Sequence, residues 1–181
     1  VPHLLFYGPS GAGKKTRITS LLKALYSPAA NNLKVDKRVF LHPSKRKIEV
    51  NLISSNYHTE ITPSDAGIYD RLVIQDILKE IAQTQQVDQN AARRFKTVVI
   101  NEADSLSRDA QAALRRTMEK YMRNMRLILC ANSTSRIIAP IRSRCLLLRV
   151  GAAKDEDVMR VIRLVAKRAK LHHPAHRTTD M

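Results

Sequence analysis

Tryptophan is absent from this 181-residue chain, and phenylalanine and tyrosine bring the aromatic content to only 4%. That scarcity argues against a single-strand nucleic-acid platform, which stacks successive bases on aromatic faces. Cysteine is scarce as well. The two residues, Cys130 in an apolar run and Cys145 after Arg144, give no disulfide framework and read as reduced thiols of the cytosol or nucleus. No signal peptide is visible, and no apolar run nears the roughly 20 residues that cross a bilayer, so no membrane partner is expected. His172, His173 and His176 near the end lack a Cys or acidic partner set, so a disordered His-rich end is favoured over a metal site there. Acidic residues are outnumbered two to one, 16 against 32 Lys and Arg, for a formal charge of +16. Such a balance points to a polyanionic partner, and with few aromatics the phosphate backbone of a duplex fits best. The plainer alternative is a generally basic, well-solvated surface.

Glycine is sparse too, five in all, yet three of the five fall in one stretch. This is Gly8-Pro9-Ser10-Gly11-Ala12-Gly13-Lys14-Lys15-Thr16. An apolar run, Leu4–Tyr7, precedes it, and an amphipathic segment with Leu21, Leu22 and Leu25 follows. Strand, glycine-rich loop and helix are the context of a phosphate-binding P-loop. Its N–H groups curl around phosphate oxygens, and the helix N-terminus adds partial positive charge. Lys14 is placed to reach the β/γ-phosphates. The next position should carry Ser or Thr, whose hydroxyl ligates Mg²⁺. Here it is Lys15, and Thr16 is displaced by one residue, about 100° around a helix. An ammonium about 4 Å from a dication is repelled by roughly 8 kcal/mol at an effective dielectric of ~20. Lys15 must point elsewhere or exclude the metal. The loop suits ATP or ADP, with Mg²⁺ in doubt.

Strands and helices alternate along the chain. A helix is expected from about Gly13 to Tyr26, then strands at Lys37–Leu41 and Lys47–Ser54 around the polar turn His42-Pro43-Ser44. Extended chain continues over Tyr57–Thr62, with Ser64 or Asp65 as a cap for a helix at Asp70–Gln83. A polar loop follows to Arg94. The β-branched run Thr97–Ile100 reads as a buried parallel strand. Ser107 caps a helix over about Arg108–Met122, and Arg126–Ala131 is a second buried strand. A short helical segment over Ile137–Ser143 leads to a last strand, Leu146–Val150, and a helix over Lys154–Lys170. This pattern is an α/β fold with a parallel sheet. Residues 1–150 read as one nucleotide-binding domain, 151–170 as the start of a helical domain, and 171–181 as a disordered tail. With Val at position 1 and a strand almost at once, the chain reads as part of a longer protein.

A P-loop enzyme also needs an apolar strand ending in acidic residues, an Asp for Mg²⁺ and a Glu to polarise water. Val98–Ile100 supplies the strand and Glu102 stands where the base belongs, but Asn101 replaces the metal-binding Asp. An amide oxygen is a poor ligand for a hard dication. Both metal positions are therefore altered in the same direction, which suggests lost hydrolysis. Asn132, ending the next strand, is placed to meet a γ-phosphate or attacking water; a turn residue satisfying local backbone is the alternative. Arg142 and Arg144, just before the last strand, are candidates to serve a neighbour's nucleotide, or are surface arginines.

Several stretches together resemble replication factor C, the AAA+ clamp loader. They are Gly8–Arg17, Ile61-Thr-Pro-Ser-Asp65, Asp109–Tyr121 and Pro140-Ile-Arg-Ser-Arg-Cys145, and within the family the Lys-Lys loop and degenerate acidic strand match a small subunit. The resemblance covers about residues 1–170. It implies a five-stranded parallel sheet in the order 5-1-4-3-2 followed by a helical lid. It implies a heteropentamer with other replication factor C subunits that places the PCNA sliding clamp on primer–template DNA in the nucleus, in replication and repair. Lys14 becomes the P-loop lysine, Glu102 the acidic-strand glutamate, Asn132 the first sensor and Arg144 an arginine finger given in trans. Arg71 and Arg108, at two helix starts, would face DNA, and Gln83–Val87 the clamp. The adenine-contacting segment, most of the lid and the collar lie outside this sequence. Two other readings stay open: an active ATPase using Thr16 or Asp104 as metal ligands, and a basic DNA-binding module with a vestigial P-loop.

Overall fold

The apolar run at the N-terminus forms β1 (His3–Tyr7), the strand on which the P-loop is mounted. In this computed structural model, the described residues are 1–169 apart from 27–29, 31, 42–46, 84–94 and 123. After β1 come α1 (Lys14–Tyr26), β2 (Lys34–Leu41), β3 (Lys47–Ser54) and β4 (His58–Ile61). A 3-10 stretch over Pro63–Tyr69 leads into α2 (Asp70–Gln83), then β5 (Lys96–Ile100) and α3 (Arg108–Lys120). The remainder is β6 (Met125–Ala131), α4 (Ala139–Arg142), β7 (Cys145–Arg149) and α5 (Asp155–Arg168). The expected turn at 42–44, the polar loop up to 94 and the tail at 171–181 lie outside the described residues.

The sheet has seven strands in the order β2-β3-β4-β5-β6-β1-β7. From β4 to β7 every pairing is parallel, and these five strands run in the order the resemblance implied, 5-1-4-3-2. The correction is the strand count. β2 and β3 form an antiparallel hairpin that joins the edge of β4 and widens the sheet to seven. In β3 Val50 and Leu52 are buried at alternate positions, while Val35 and Val39 of β2 stay exposed at the sheet edge; β1, β5 and β6 are by contrast largely continuous apolar runs. A second difference precedes α2. Neither Ser64 nor Asp65 directly precedes it; the 3-10 stretch intervenes, and Asp70 itself opens the helix. Ser107 does cap α3, its hydroxyl accepting from the Ala110 N–H at 3.1 Å.

Strand alternation sorts the core into two layers. Leu5, Val98, Ile100, Leu127 and Leu129 face α2 and α3, where they meet Ile74, Ile77, Leu114 and Met118. Their neighbours Leu4, Phe6, Val99 and Ile128 face the other way, against Ile18 and Leu22 of α1. Each such side chain contributes roughly 1.5–3 kcal/mol by leaving water, and together they clamp the strand ends that carry the polar residues. α5 differs: it has no buried residue, and its face of Val158, Val161, Ile162 and Val165 is exposed. No helix among the described residues is long and apolar enough to cross a membrane.

His3 is a polar exception in β1. It is buried, its Nδ1 accepts from the Leu127 N–H at 3.0 Å, and its Nε2 lacks a partner. Burial, aided by the Arg126 charge, lowers its pKa from 6.5 to about 4. A base with a depressed folded-state pKa contributes stability above its unfolded pKa and loses it as pH falls toward the folded value. Between pH 7.5 and 5.0 the chain should lose about 2 kcal/mol through this group. Urea titrations at the two pH values measure the loss, and His3→Gln should remove most of it.

Candidate nucleotide-binding site

β1 ends at Tyr7, and the chain must then turn sharply under the strand beyond it. Gly8 is required there, because a Cβ would stand 1.9 Å from the Val150 carbonyl oxygen. Gly13 enters α1 at φ +82°, a left-handed conformation costly for any residue with a side chain. Lys14 opens the helix with only 8% of its surface exposed. Its ammonium donates to Gly8 O at 2.8 Å, to Pro9 O at 2.9 Å and to Asn132 Oδ1 at 2.8 Å. The loop lysine and the polar end of β6 are thus in direct contact. Asn132 is held from behind by Asp104, whose Oδ2 accepts the N–H groups of Asn132 and Ser133 at 3.0 and 3.3 Å.

The loop opens onto a cleft of about 540 Å³ lined by Ser10, Gly11, Lys14, Lys15, Thr16, Thr62, Asn101 and Glu102, among others. That volume is of the size that holds small ligands. Cys130 also lines it, and burial raises its pKa, which keeps the thiol protonated. Pro9 is exposed at the lip and Ala12 buried beneath the loop.

The two altered metal positions have found partners within the protein. Lys15 reaches across to β4, its ammonium 3.5 Å from Glu60 Oε2. Asn101 donates weakly to Thr62 Oγ1 at 3.5 Å. Glu102 accepts from Ser64 Oγ at 2.9 Å, and its backbone is left-handed at φ 49°, a strained state for a non-glycine residue. Glu102 is the one carboxylate among the residues lining the cleft, beside one amide, two ammoniums and the hydroxyls of Ser10, Thr16 and Thr62. Mg²⁺ at phosphate sites takes one or two carboxylates and several waters, and this cleft offers it a single carboxylate beside two ammoniums. Among the described residues no cluster of three His, Cys, Asp or Glu has metal-binding geometry.

Two other groups of predicted residues lie apart from the cleft. Arg71 and Arg108 are exposed at the starts of α2 and α3. Those starts are joined by the buried Asp70, whose carboxylate accepts from Ser107 N at 2.7 Å and Ser107 Oγ at 2.9 Å. Arg144 sits at the other end of the sheet from the P-loop. Cys145 pairs with His3 and Arg149 with Tyr7, so the length of β7, roughly 16 Å, separates them. Its guanidinium donates to Pro140 O at 2.7 Å and to Glu119 Oε1 at 2.5 Å. Arg115, and then Arg144, hold the Glu119 carboxyl below its ordinary range. Gln111 fastens the preceding turn to α3, bonding Arg136 O and the Ile138 N–H at 2.9 Å each. Of the segment Gln83–Val87, residues 84–87 lie outside the described residues.

Sequence reasoning missed Glu60, Asp70 and Gln111. Glu60 carried a signal: in His58-Thr-Glu-Ile61 alternation puts a carboxylate on the same face as His58, inside a sheet otherwise apolar there. Asp70 and Gln111 read as ordinary polar helix residues, and only the packing of α2 against α3 and of α3 against the 136–138 turn gives them their tasks.

A family model described as DNA polymerase III, delta subunit, matches residues 2–154. Replication factor C subunit 5 of Neurospora crassa is 65% identical over 167 residues, covering 92% of this chain and 47% of the relative. Replication factor C subunit 3 of Homo sapiens is 54% identical over 182 residues, covering 99% of this chain and 51% of the relative. The chain thus spans about half the length of the curated relatives it matches. Among solved structures, Caenorhabditis elegans PCH-2 superposes with a TM-score of 0.57 at 17% identity, covering 98% of this chain and 43% of that one, a likeness of fold alone. The chain belongs to the DNA polymerase III delta-subunit family, with replication factor C subunits 3 and 5 as its high-identity relatives.

Proposed function

We propose that this chain is the nucleotide-binding core of a replication factor C small subunit. It binds ATP or ADP in the P-loop cleft without hydrolysing it, and acts within a nuclear heteropentamer that loads the PCNA clamp on primer–template DNA. Residues 1–150 form the nucleotide-binding domain, and α5 begins the lid. The observation that carries the hydrolysis-deficient reading is the pairing of Lys15 with Glu60 in place of a metal-ligating hydroxyl. Asn101, bonded to Thr62, removes the second metal ligand. The active-ATPase reading needs Thr16 or Asp104 as a ligand; Thr16 lines the cleft, while one Asp104 oxygen is held by the Asn132 and Ser133 N–H groups and the other has no hydrogen-bond partner among the described residues.

In this reading the chain's own residues bind and orient. Lys14 moves its donors from the loop carbonyls to phosphate oxygens, and the loop N–H groups donate to the remaining phosphate oxygens. Asn132, released by Lys14, turns its amide toward the terminal phosphate. Calorimetry with ADP should give the same Kd, within about threefold, in Mg²⁺ and in EDTA, and no steady turnover of ATP should appear. Turnover abolished by Glu102→Gln would overturn the reading.

Arg71 and Arg108 serve DNA phosphates at helix starts that Asp70 and Ser107 hold together. Arg71→Ala and Arg108→Ala should each lower the salt slope of DNA binding by the assembled complex by about one unit, equally across sequences. An unchanged slope would assign them to solvated surface.

Arg144, a strand length from its own P-loop, exchanges Pro140 O and Glu119 for a neighbour's nucleotide in the assembled complex. Arg144→Ala should leave ADP binding by this chain intact and lower DNA-stimulated hydrolysis by the complex, by the share of one active site. Arg144→Lys should restore little, because the ammonium lacks the planar fork. Unmutated rates in the Arg144→Ala complex would remove the finger assignment.

A further inference from the structure

Lys15 is the residue that the P-loop pattern leaves unexplained, and its partner is the buried carboxylate of Glu60. Glu60 is 5% exposed on β4, and its cross-strand neighbours there are the apolar Ile53 and Val99. One oxygen, Oε1, lies 3.7 Å from His58 Nε2. His58 is itself fixed: Ser55 Oγ lies 2.7 Å from Nδ1 and accepts the N–H groups of Tyr57 and His58 at 3.2 and 3.1 Å. The same hydroxyl lies 3.3 Å from His58 O, so His58 is tied through both ring and backbone, with Nε2 facing Glu60. The other oxygen, Oε2, is buried without a hydrogen-bond partner and has Lys15 as its ion pair at 3.5 Å. His58, then Lys15, outweigh burial and hold the carboxyl below its ordinary range. The carboxylate is therefore rigid, charged and buried, while the lysine opposite is 64% exposed along its side chain and free to move.

We infer that Glu60 sets the nucleotide affinity of the cleft by drawing the Lys15 ammonium off the phosphates, so that Lys14 alone faces them. Two effects act in the same direction. An ammonium that stayed with the phosphates would leave a buried carboxylate without its counter-charge, which is strongly unfavourable. The carboxylate also repels phosphate across the short span of the cleft wall. Lys-Lys in the loop thus presents the phosphates with one cation, the second being neutralised at the side of the site. Glu60 is a positioning residue here, acting through Lys15.

The inference rests on nucleotide occupancy of the P-loop, and a double-mutant cycle tests it with ADP in EDTA buffer by calorimetry. Glu60→Gln keeps the shape, frees Lys15 and removes the repelling charge. It should tighten ADP binding by about tenfold. Lys15→Met with Glu60→Gln removes a neutral pair and should stay within about threefold of the unmodified chain. A Glu60→Gln chain that binds ADP equally or more weakly overturns the inference, as does a double variant as tight as Glu60→Gln alone. Should the single variant fail to fold, the double variant decides: a tenfold loss there would mean that Lys15 serves the phosphates after all. Lys14→Met separates the two levels. If it binds ADP as tightly as the unmodified chain, the nucleotide site falls and the Glu60 role with it. If it loses ADP while Glu60→Gln gains nothing, only the Glu60 role falls.

Discussion

The Lys14 ammonium is the interaction on which the rest of the site depends. Its three donors join the turn after β1 to the end of β6, through Gly8 O, Pro9 O and Asn132 Oδ1. That arrangement is possible only because β1 and β6 are neighbours in a parallel sheet, so that their C-terminal ends come out side by side. The order of strands is in turn fixed by burial. β1, β5 and β6 are apolar on both faces and must be covered by α1 on one side and by α2 and α3 on the other. A chain of cause runs from β-branched and leucine-rich runs, through a doubly covered sheet, to one lysine held between two strand ends.

The same architecture explains why the altered residues are tolerated. A second lysine beside the first would be repelled by it and needs a counter-charge. Glu60, projecting from β4 toward α1, supplies one. Asn101 replaces a carboxylate at the end of β5, yet its backbone N–H still bonds Ile61 O at 2.9 Å, so the strand end keeps its place. Asp104 is the acidic residue that remains structurally engaged, bracing Asn132.

Much of this was legible in the chain before any coordinates. The bounds of α2 and β3 follow from apolar periodicity and flanking turn residues, and Ser107 was readable as a cap because it precedes an amphipathic run. The P-loop is legible because phosphate binding by backbone N–H groups demands glycines at fixed spacing. What was not legible was the reach of individual side chains. The hairpin β2-β3 has strands that sequence pattern reveals, but whether it stands alone or extends the sheet depends on its pairing with three residues of β4. Glu60 and Lys15 lie 45 positions apart, and no spacing rule couples them. Asp70 likewise takes its task from Ser107, 37 residues on. Contacts between distant segments are set by packing, and a one-dimensional pattern carries them only where a motif already encodes the fold.

The central claim is that nucleotide is held here by protein cations without a metal. Anomalous diffraction from crystals of the ADP complex grown in Mn²⁺ tests it most directly, because manganese substitutes for magnesium and scatters strongly. The account predicts no manganese peak between the phosphates, with Lys14 alone against them and Lys15 still beside Glu60. A peak at the β-phosphate with Thr16 or Glu102 as a ligand would contradict it.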